Sequence, residues 1–173
     1  MEQLLAAFLT LVTSLGDAPS AEALMSTAKD TRLTLETAAQ HVAAARFAAV
    51  LTGTDPDLLL AIAHHESRYE PGVVGPLVRG KHACGVMQHV PVTGPCPTIE
   101  LPLDYLEGAR HLAEWIRVQK GDVTRALVGY AGGYALLKLY DDGGASRARA
   151  VVRLELGRAQ RIKRAREIRA GGV

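Results

Sequence analysis

Apolar residues are spaced for helices over much of the chain. Residues 33–52 are rich in Ala and Leu and contain no Pro or Gly before Gly53, which predicts a helix that ends at that glycine. Residues 2–15 have a similar composition and are followed by Gly16. Both segments are predicted to be packing helices.

A clear helix start follows at residue 55. Asp55 is a residue type that caps helices, Pro56 has the φ angle of a first turn, and Asp57 lies near the positive end of the helix dipole. We predict a helix over residues 56–68.

The helical pattern breaks between residues 69 and 103, where Gly and Pro interrupt every long apolar run. This texture predicts loops and a small β-ribbon. Helical spacing returns at Asp104, and shorter helices are predicted over 122–128 and 134–140. The apolar positions of the helix that begins at Asp104 are Tyr105, Ala109, Leu112 and Ile116. The chain is therefore predicted to be mainly α with one irregular insert.

A length of 173 residues, with 48% hydrophobic and 22% charged residues, is typical of one globular domain and disfavours collagen-like, coiled-coil and disordered classes. The net charge of +2 is unevenly distributed. Residues 146–173 contain 9 Lys and Arg against 2 Asp and Glu, whereas residues 1–145 contain 11 against 16, a net charge of −5. We therefore predict a domain over 1–145, which includes the N-terminal packing helices, and a basic C-terminal helical arm over 146–173.

The basic arm, predicted to be helical over residues 146–169, has two interpretations. One is a solvated face above a short apolar seam near Val151 and Leu154. The other is electrostatic attachment to an anionic polymer, to lipid headgroups or to nucleic acid. A nucleic-acid partner is not expected, because residues 1–145 are acidic and the chain has only 5 Tyr, 2 Phe and 1 Trp for base stacking.

The apolar stretch over residues 4–15 resembles the core of a signal peptide, but Glu2 precedes it where a basic residue is usual. The stretch is too short to cross a bilayer as a helix. We favour an ordered amphipathic helix over a cleaved leader.

Cys84 and Cys96 lie in the irregular insert and leave three alternatives. They form one local disulfide, remain two free thiols, or join His82 and His89 in a zinc site. The spacing of these four residues matches no familiar zinc site, so no metal is expected. A disulfide fits action outside the cytoplasm.

Glu66 is the strongest candidate for chemistry. It follows Leu59, Ile62 and Ala63 at helical spacing, so its carboxyl continues an apolar stripe. Burial and the negative pole at a helix C-terminus both raise a carboxyl pKa, which favours an acid that holds its proton near neutral pH. Such a group can protonate a leaving oxygen. The alternative is a glutamate that reaches solvent or pairs with an arginine.

Four short motifs follow one another along the chain. Residues 61–71 read Ala-Ile-Ala-His-His-Glu-Ser-Arg-Tyr-Glu-Pro, 85–88 read Gly-Val-Met-Gln, 108–112 read Gly-Ala-Arg-His-Leu, and 129–133 read Gly-Tyr-Ala-Gly-Gly. In this order they resemble the motifs of the soluble lytic transglycosylases, the goose-lysozyme-like SLT family that cleaves peptidoglycan. The resemblance covers about residues 50–140.

The resemblance implies a mainly α, lysozyme-like helical domain with a small β-ribbon or loop insert and a basic C-terminal helix. It also implies peptidoglycan glycan strands as the substrate, Glu66 as the catalytic acid and base, and no cofactor. Ser67 is expected to orient the substrate or the carboxyl group, and Tyr130 to hydrogen-bond near Glu66. The residues expected to line the glycan groove are Gly85, Val86, Met87 and Gln88.

In this family one glutamate cleaves the β-1,4 bond between N-acetylmuramic acid (MurNAc) and N-acetylglucosamine (GlcNAc). It protonates the bond oxygen and then takes the proton of the muramyl C6 hydroxyl, which closes onto C1 to give a 1,6-anhydro product. Glycosidases that use water need a second carboxylate. Glu70 is a conceivable second carboxylate, although Pro71 disfavours helical backbone there, so a goose-type hydrolytic muramidase stays open. Asp104 and Glu107 are better explained as a helix cap and a surface charge.

Ala131 stands where the family motif has Asn, which removes an amide expected to face the substrate. A noncatalytic glycan-binding module is therefore a further alternative. The substrate lies in the cell wall, in the periplasm or outside the cell, and the sequence has no convincing export signal. We favour a phage-encoded lysin, with the arm as a contact to an anionic cell-envelope polymer or lipid.

Overall fold

The computed structural model describes residues 18–78, 80–90, 96 and 99–171, apart from the side chains of Pro76 and Val78. Within these residues the chain forms six helices and one two-stranded sheet, and the expected mainly α class is confirmed. In chain order the elements are α1 (Ala18–Thr27), α2 (Leu35–Thr52), α3 (Pro56–Ser67), β1 (Val74–Val78), β2 (Lys81–Cys84), α4 (Leu101–Val118), α5 (Val123–Asp141) and α6 (Ser146–Gly171).

The structure departs from the predicted elements in three places. The sequence pattern missed α1, and it placed the start of α4 at residue 104 although the helix begins at Leu101, with Pro102 in its first turn. The helices predicted over 122–128 and 134–140 are one run, α5, which is kinked at Gly133 with φ 66° and ψ −164°. The helix predicted over 2–15 lies outside the described residues.

Local signals explain the bounds of α2 and α3. Thr34 and Thr37 cap α2 reciprocally, since each hydroxyl accepts a hydrogen bond from the other residue's backbone N–H, at 3.2 and 2.9 Å. Gly53, with φ 72°, ends α2 in the left-handed conformation that glycine adopts without strain. The Asp55 carboxylate accepts from the backbone N–H of Asp57 at 2.8 Å and so starts α3.

Helix α3 is buried on more than one side. Residues 58–63 are all at most 5% exposed, because α2, α4 and α6 all pack against this helix. The predicted apolar stripe is confirmed, and the burial extends beyond it. The end of α3, which carries Glu66, is thus held in a fixed position by three neighbouring helices.

Helix α6, the predicted basic C-terminal helix, is part of the core. It packs against α1, α3 and α5, and its apolar buried residues join the same hydrophobic cluster as those of α3. The expected seam was out of phase, since Leu154 is 62% exposed. The predicted division at residue 145 marks the change in charge, while the core continues across it. The buried positions of α6 are Ala148, Val152, Glu155, Ala159 and Ile162.

A buried ion pair joins α6 to the first turn of α3. The Arg166 guanidinium donates to the Asp57 carboxylate at 2.7 Å, and the Asp57 side chain is only 3% exposed. Burial raises the pKa of Asp57 despite the neighbouring arginine. The arginine therefore keeps a desolvated carboxylate partnered.

The β-ribbon follows α3 and precedes α4 in the chain. Its strands pair antiparallel, with Val74 opposite Cys84 and Val78 opposite Lys81, and the register is irregular between Val74 and Leu77. None of the described helices has the length and apolar content that crossing a bilayer requires.

We predict that Arg166→Gln lowers the free energy of unfolding by about 3 kcal/mol at pH 7, because Asp57 would remain buried without its partner. Urea unfolding measures this change. Arg164→Gln, at an exposed position of the same helix, is the control and should change the free energy by about 0.5 kcal/mol or less. The double variant Asp57→Asn/Arg166→Gln should recover part of the loss, and equal unfolding midpoints for Arg166→Gln and Arg164→Gln would contradict the prediction.

Candidate active site

Glu66 lies in the last turn of α3 and is half-buried. Burial raises the pKa of its carboxyl to about 7, in the direction expected from its place in an apolar stripe. The helix ends directly afterwards, because Arg68 and Tyr69 have φ values of 56° and 67°. The Tyr69 hydroxyl anchors this turn by donating to the Leu60 carbonyl at 2.9 Å.

Glu70 is not on the face of α3 that carries Glu66. Two residues of left-handed backbone separate the helix from Glu70, so the helical relation between positions 66 and 70 is lost. The Glu70 side chain is exposed. The structure therefore does not support Glu70 as the second carboxylate.

A different carboxyl, that of Glu155 on α6, lies beside Glu66. One carboxylate oxygen of each glutamate and one ring nitrogen of His65 lie within 4.8 Å of one another. Glu155 is 3% exposed, and its pKa is raised to about 8, first by burial and then by the negative charge of Glu66. Among the described residues, these three form the group whose possible ligand atoms lie close enough to one another to hold a metal ion.

Tyr130 connects this pair of carboxyls to the Met-Gln motif. Its hydroxyl donates to the backbone carbonyl of Met87 at 2.7 Å. Burial, and then the charge of Glu66, raise the pKa of the phenol well above its ordinary value. The hydroxyl therefore bonds to Met87 and not to Glu66, whose charge acts on the phenol without a hydrogen bond between them.

The backbone of the Met-Gln motif is held by Asp104. This buried carboxylate accepts from the backbone N–H of Val86 at 2.6 Å and from that of Met87 at 3.3 Å. Asp104 is therefore not the helix cap that the sequence suggested, since the residue at the start of α4 is Glu100. Glu107 is exposed and pairs with Arg110 at 2.6 Å, as expected for a surface charge.

The side chains of Val86 and Met87 are 0% exposed. This corrects the expectation that the side chains of Val86 and Met87 line the glycan groove, because both pack in the core. Gln88 is half-buried, and its amide N–H₂ donates to the carbonyls of Val73 and Gly85 at 3.0 and 2.8 Å. The motif thus shapes the loop mainly through backbone contacts.

Two glycines make this packing sterically feasible. Gly85 has φ 76°, and a Cβ there would collide with the Asp104 carboxylate. A Cβ on Gly108 would lie 2.6 Å from the Cβ of Met87. The glycines of the second and third motifs therefore let α4 approach the loop closely.

A disulfide joins Cys84 to Cys96. Of the three alternatives for these cysteines, the structure contains the local disulfide. Because both thiols are used, the four-residue zinc set with His82 and His89 is not formed. The disulfide ties the end of β2 to the segment that leads into α4.

A cleft of about 350 Å³ opens beside the ribbon. Glu66 is not among its lining residues, so the cleft is distinct from the carboxyl pair. It is lined by Pro71, Gly72, Val73, Val74, Gly85, Cys96, Ile99 and Asp104.

One segment of the chain matches a known protein family. Residues 43–101 match the sequence model of the transglycosylase SLT domain. This segment belongs to the SLT domain family. At the family level, an SLT domain supports a peptidoglycan lytic transglycosylase-like function and action on the cell wall.

The SLT match begins in α2 and ends at the first residue of α4. It includes Glu66 and the Met-Gln motif, whereas α5 and α6 lie beyond it. No curated protein matches the chain significantly, and no solved structure does. Tyr130 and Glu155 therefore lie outside the matched residues, and the fold brings them next to the matched segment.

Ser67, the expected orienting residue, is buried, and its hydroxyl donates to the Ala63 carbonyl at 3.0 Å. Its hydrogen bond thus stays within the last turn of α3. The sequence pattern did not predict two buried carboxyls of this region, Asp104 as the support of the loop and Glu155 as the neighbour of Glu66. Glu155 lies among Ala148, Val152, Ala159 and Ile162 at helical spacing, the same kind of signal that identified Glu66.

We predict that Asp104→Asn destabilises the protein by about 2 kcal/mol, because an amide replaces the charge that accepts two buried N–H groups. Thermal and urea unfolding measure the loss. Glu107→Gln, one turn away on the exposed side of α4, is the matched control and should stay within about 0.5 kcal/mol of the wild type. Similar losses in the two variants would show that Asp104 does not support the loop in this way.

Proposed function

We propose that this protein is a peptidoglycan lytic transglycosylase that cleaves the MurNAc–GlcNAc β-1,4 bond and forms 1,6-anhydro-MurNAc, with Glu66 as its single acid and base. The observation that carries the proposal is the half-buried carboxyl, with a pKa raised to about 7, at the end of an SLT-family helix. A carboxyl of this kind is protonated in part of the molecules at neutral pH, and both of its forms are accessible there.

The first step needs the protonated form of Glu66. Its proton goes to the oxygen between C1 of MurNAc and C4 of GlcNAc, the C1–O bond breaks, and GlcNAc leaves with a C4 hydroxyl. Positive charge develops at C1 of MurNAc, next to the carboxylate that has just formed on Glu66. Negative charge close to C1 stabilises this oxocarbenium-like state.

The second step regenerates the acid. The Glu66 carboxylate takes the proton of the muramyl C6 hydroxyl, whose oxygen bonds to C1 and closes the 1,6-anhydro ring. Glu66 ends the cycle protonated, and no water is consumed. One carboxyl therefore suffices for both proton transfers.

The hydrolytic alternative needs a second carboxylate that reaches either a water molecule or C1. In inverting glycosidases the two carboxyls are about 6.5–9.5 Å apart to leave room for that water, whereas the facing oxygens of Glu66 and Glu155 lie within 4.8 Å. A nucleophile would have to touch C1, and Glu155 is 3% exposed. Both observations favour the transglycosylase over a goose-type hydrolase.

We predict that Glu66→Gln reduces muropeptide release from purified peptidoglycan by about 10³-fold or more, because the amide cannot supply the proton. Glu70→Gln, at an exposed position, should retain nearly full activity. Mass spectrometry of the wild-type products should show anhydro ends, which are lighter than reducing ends by one water. Full activity of Glu66→Gln would remove Glu66 from its role, and reducing ends would favour the hydrolase.

We also propose that the exposed face of α6 binds an anionic cell-envelope polymer or lipid. Several basic residues of this helix are turned inward, such as Arg166 toward Asp57, and Arg169 lies 3.5 Å from Glu22. Others point to solvent and are available for such a contact. The exposed basic residues of this face include Arg161, Lys163 and Arg164. Delivery as a phage-encoded lysin is our preferred route to the cell wall.

Replacing Arg161, Lys163 and Arg164 by Gln should weaken retention on purified sacculi at low salt, and the difference should shrink as salt screens the charges. Substitution is preferable to deletion of 146–173, because α6 contributes to the core. A pelleting assay over a salt series measures retention.

The matched control removes three exposed lysines outside α6 and so makes the same change in net charge. Retention that falls equally in both triple variants would contradict a specific role of this face. The control positions are Lys29, Lys120 and Lys138.

A further inference from the structure

Glu155 is an unusual residue in a basic helix. Its side chain is 3% exposed, and within the described part of the chain its carboxyl has neither a hydrogen-bond partner nor an ion pair. A carboxyl that is ionised in such a place loses its hydration without compensation. The neutral, protonated form is therefore favoured at this position.

The nearest acidic partner makes the neutral form more favourable still. Because oxygens of Glu66 and Glu155 lie within 4.8 Å of each other, two negative charges at this distance in a desolvated site repel strongly. Two such groups lose their protons in coupled steps that belong to the pair. When one carboxyl is ionised, the other holds its proton more tightly.

The other groups around Glu155 do not neutralise this repulsion. From α3 it faces His65, whose pKa is lowered by burial and by the positive charges of Arg158 and Arg147, so that the ring is neutral at neutral pH. From α5 it faces Tyr130, a phenol that stays protonated.

Two other acidic groups near α6 are paired with other residues. On α1, Glu22 pairs with Arg169, and Asp30 follows α1 and pairs with His64. Arg158, one turn from Glu155, interacts with Tyr69 and Asp30. No cation within the described residues forms an ion pair with either carboxyl of the pair.

We propose that Glu155 is a positioning residue for the proton of the active site, which it shares with Glu66, so that Glu66 remains an acid at higher pH than it would alone. This inference rests on the proposed role of Glu66. Glu155 acts through Glu66 and not on the sugar, since its burial keeps it from the substrate. The charge of Glu66 raises the pKa of Glu155. Because the two charges repel each other, the pair holds its last proton to higher pH than either carboxyl would alone, and Glu66 shares that proton.

The test is the pH dependence of kcat/KM in Glu155→Gln, which keeps the shape of the side chain but cannot ionise. In the wild type the fall in activity at alkaline pH should be broad, because the pair loses two protons in separate steps. In Glu155→Gln it should lie about one pH unit lower and follow a single proton. Both proteins should have similar activity at pH 5, and Glu155→Asp should restore the broad fall.

A second measurement does not depend on activity. Since the pKa of Glu155 is raised from 4.5 to about 8 in the folded protein, its contribution to stability is complete below pH 4.5 and is lost as the pH rises toward 8. The Tm of the wild type should therefore fall by several degrees more between pH 5 and 9 than the Tm of Glu155→Gln. Glu167→Gln, at an exposed position of the same helix, should follow the wild type.

The outcomes separate this inference from the proposed function. The role of Glu155 would be overturned, with the function intact, by the following result. Glu66→Gln is inactive, while the wild type and Glu155→Gln have identical pH profiles and parallel Tm curves. If Glu66→Gln is active, the proposed function is wrong. The role of Glu155 is then wrong as well, even if the Tm curves of the wild type and Glu155→Gln differ. If Glu155→Gln does not fold, ¹³C NMR titration of the carboxyls in the wild type and in Glu66→Gln tests the coupling between the two glutamates. Glu155 should titrate at lower pH in Glu66→Gln, and an unchanged titration would refute the coupling.

Discussion

The removal of water from the end of α3 determines how the candidate site works. Residues 58–63 are packed on several sides, so this helix cannot rotate to bring the Glu66 carboxyl fully into solvent. Desolvation disfavours the charged form, and the pKa of about 7 follows from it. The same helix packing that stabilises the fold therefore sets the acidity of the group on which the proposed chemistry depends.

The rest of the site keeps that carboxyl next to a rigid loop. Asp104 on α4 accepts hydrogen bonds from the backbone N–H groups of residues 86 and 87, and Tyr130 on α5 donates to the carbonyl of Met87. Gly108 lets the Met87 side chain fill the space against α4. The Met-Gln motif is thus fixed by two helices, α4 and α5, and its apolar side chains are part of the core.

Much of this could be predicted from local sequence. The cap at Asp55, the apolar stripe that leads to Glu66, and the Gly- and Pro-rich ribbon segment are short-range signals, and each corresponds to an element of the structure. Asp104 was misinterpreted because its partners are backbone N–H groups 17 and 18 residues away, which no local pattern reveals. Burial of Met87 was missed for the same reason, since it depends on how closely α4 approaches.

Glu155 was missed for a different reason, which concerns the net charge of α6. A segment with many arginines was interpreted as a separate arm, although its buried positions carry a glutamate. The arginines do not cancel the acidity of the pair because helical geometry directs them elsewhere. Arg166 reaches Asp57 at the other end of α3, and Arg169 lies 3.5 Å from Glu22.

A guanidinium beside Glu155 would favour the ionised form and lower the pKa of both glutamates. The ion pairs of this helix are those of Arg166 with Asp57 and of Arg169 with Glu22, and among the described residues neither carboxyl of the pair takes part in one. Net charge measured along the sequence does not report this arrangement, because the phase of each residue around the helix decides which group it meets. The basic helix can therefore contribute an acidic residue to the site without shifting that site toward its charged state.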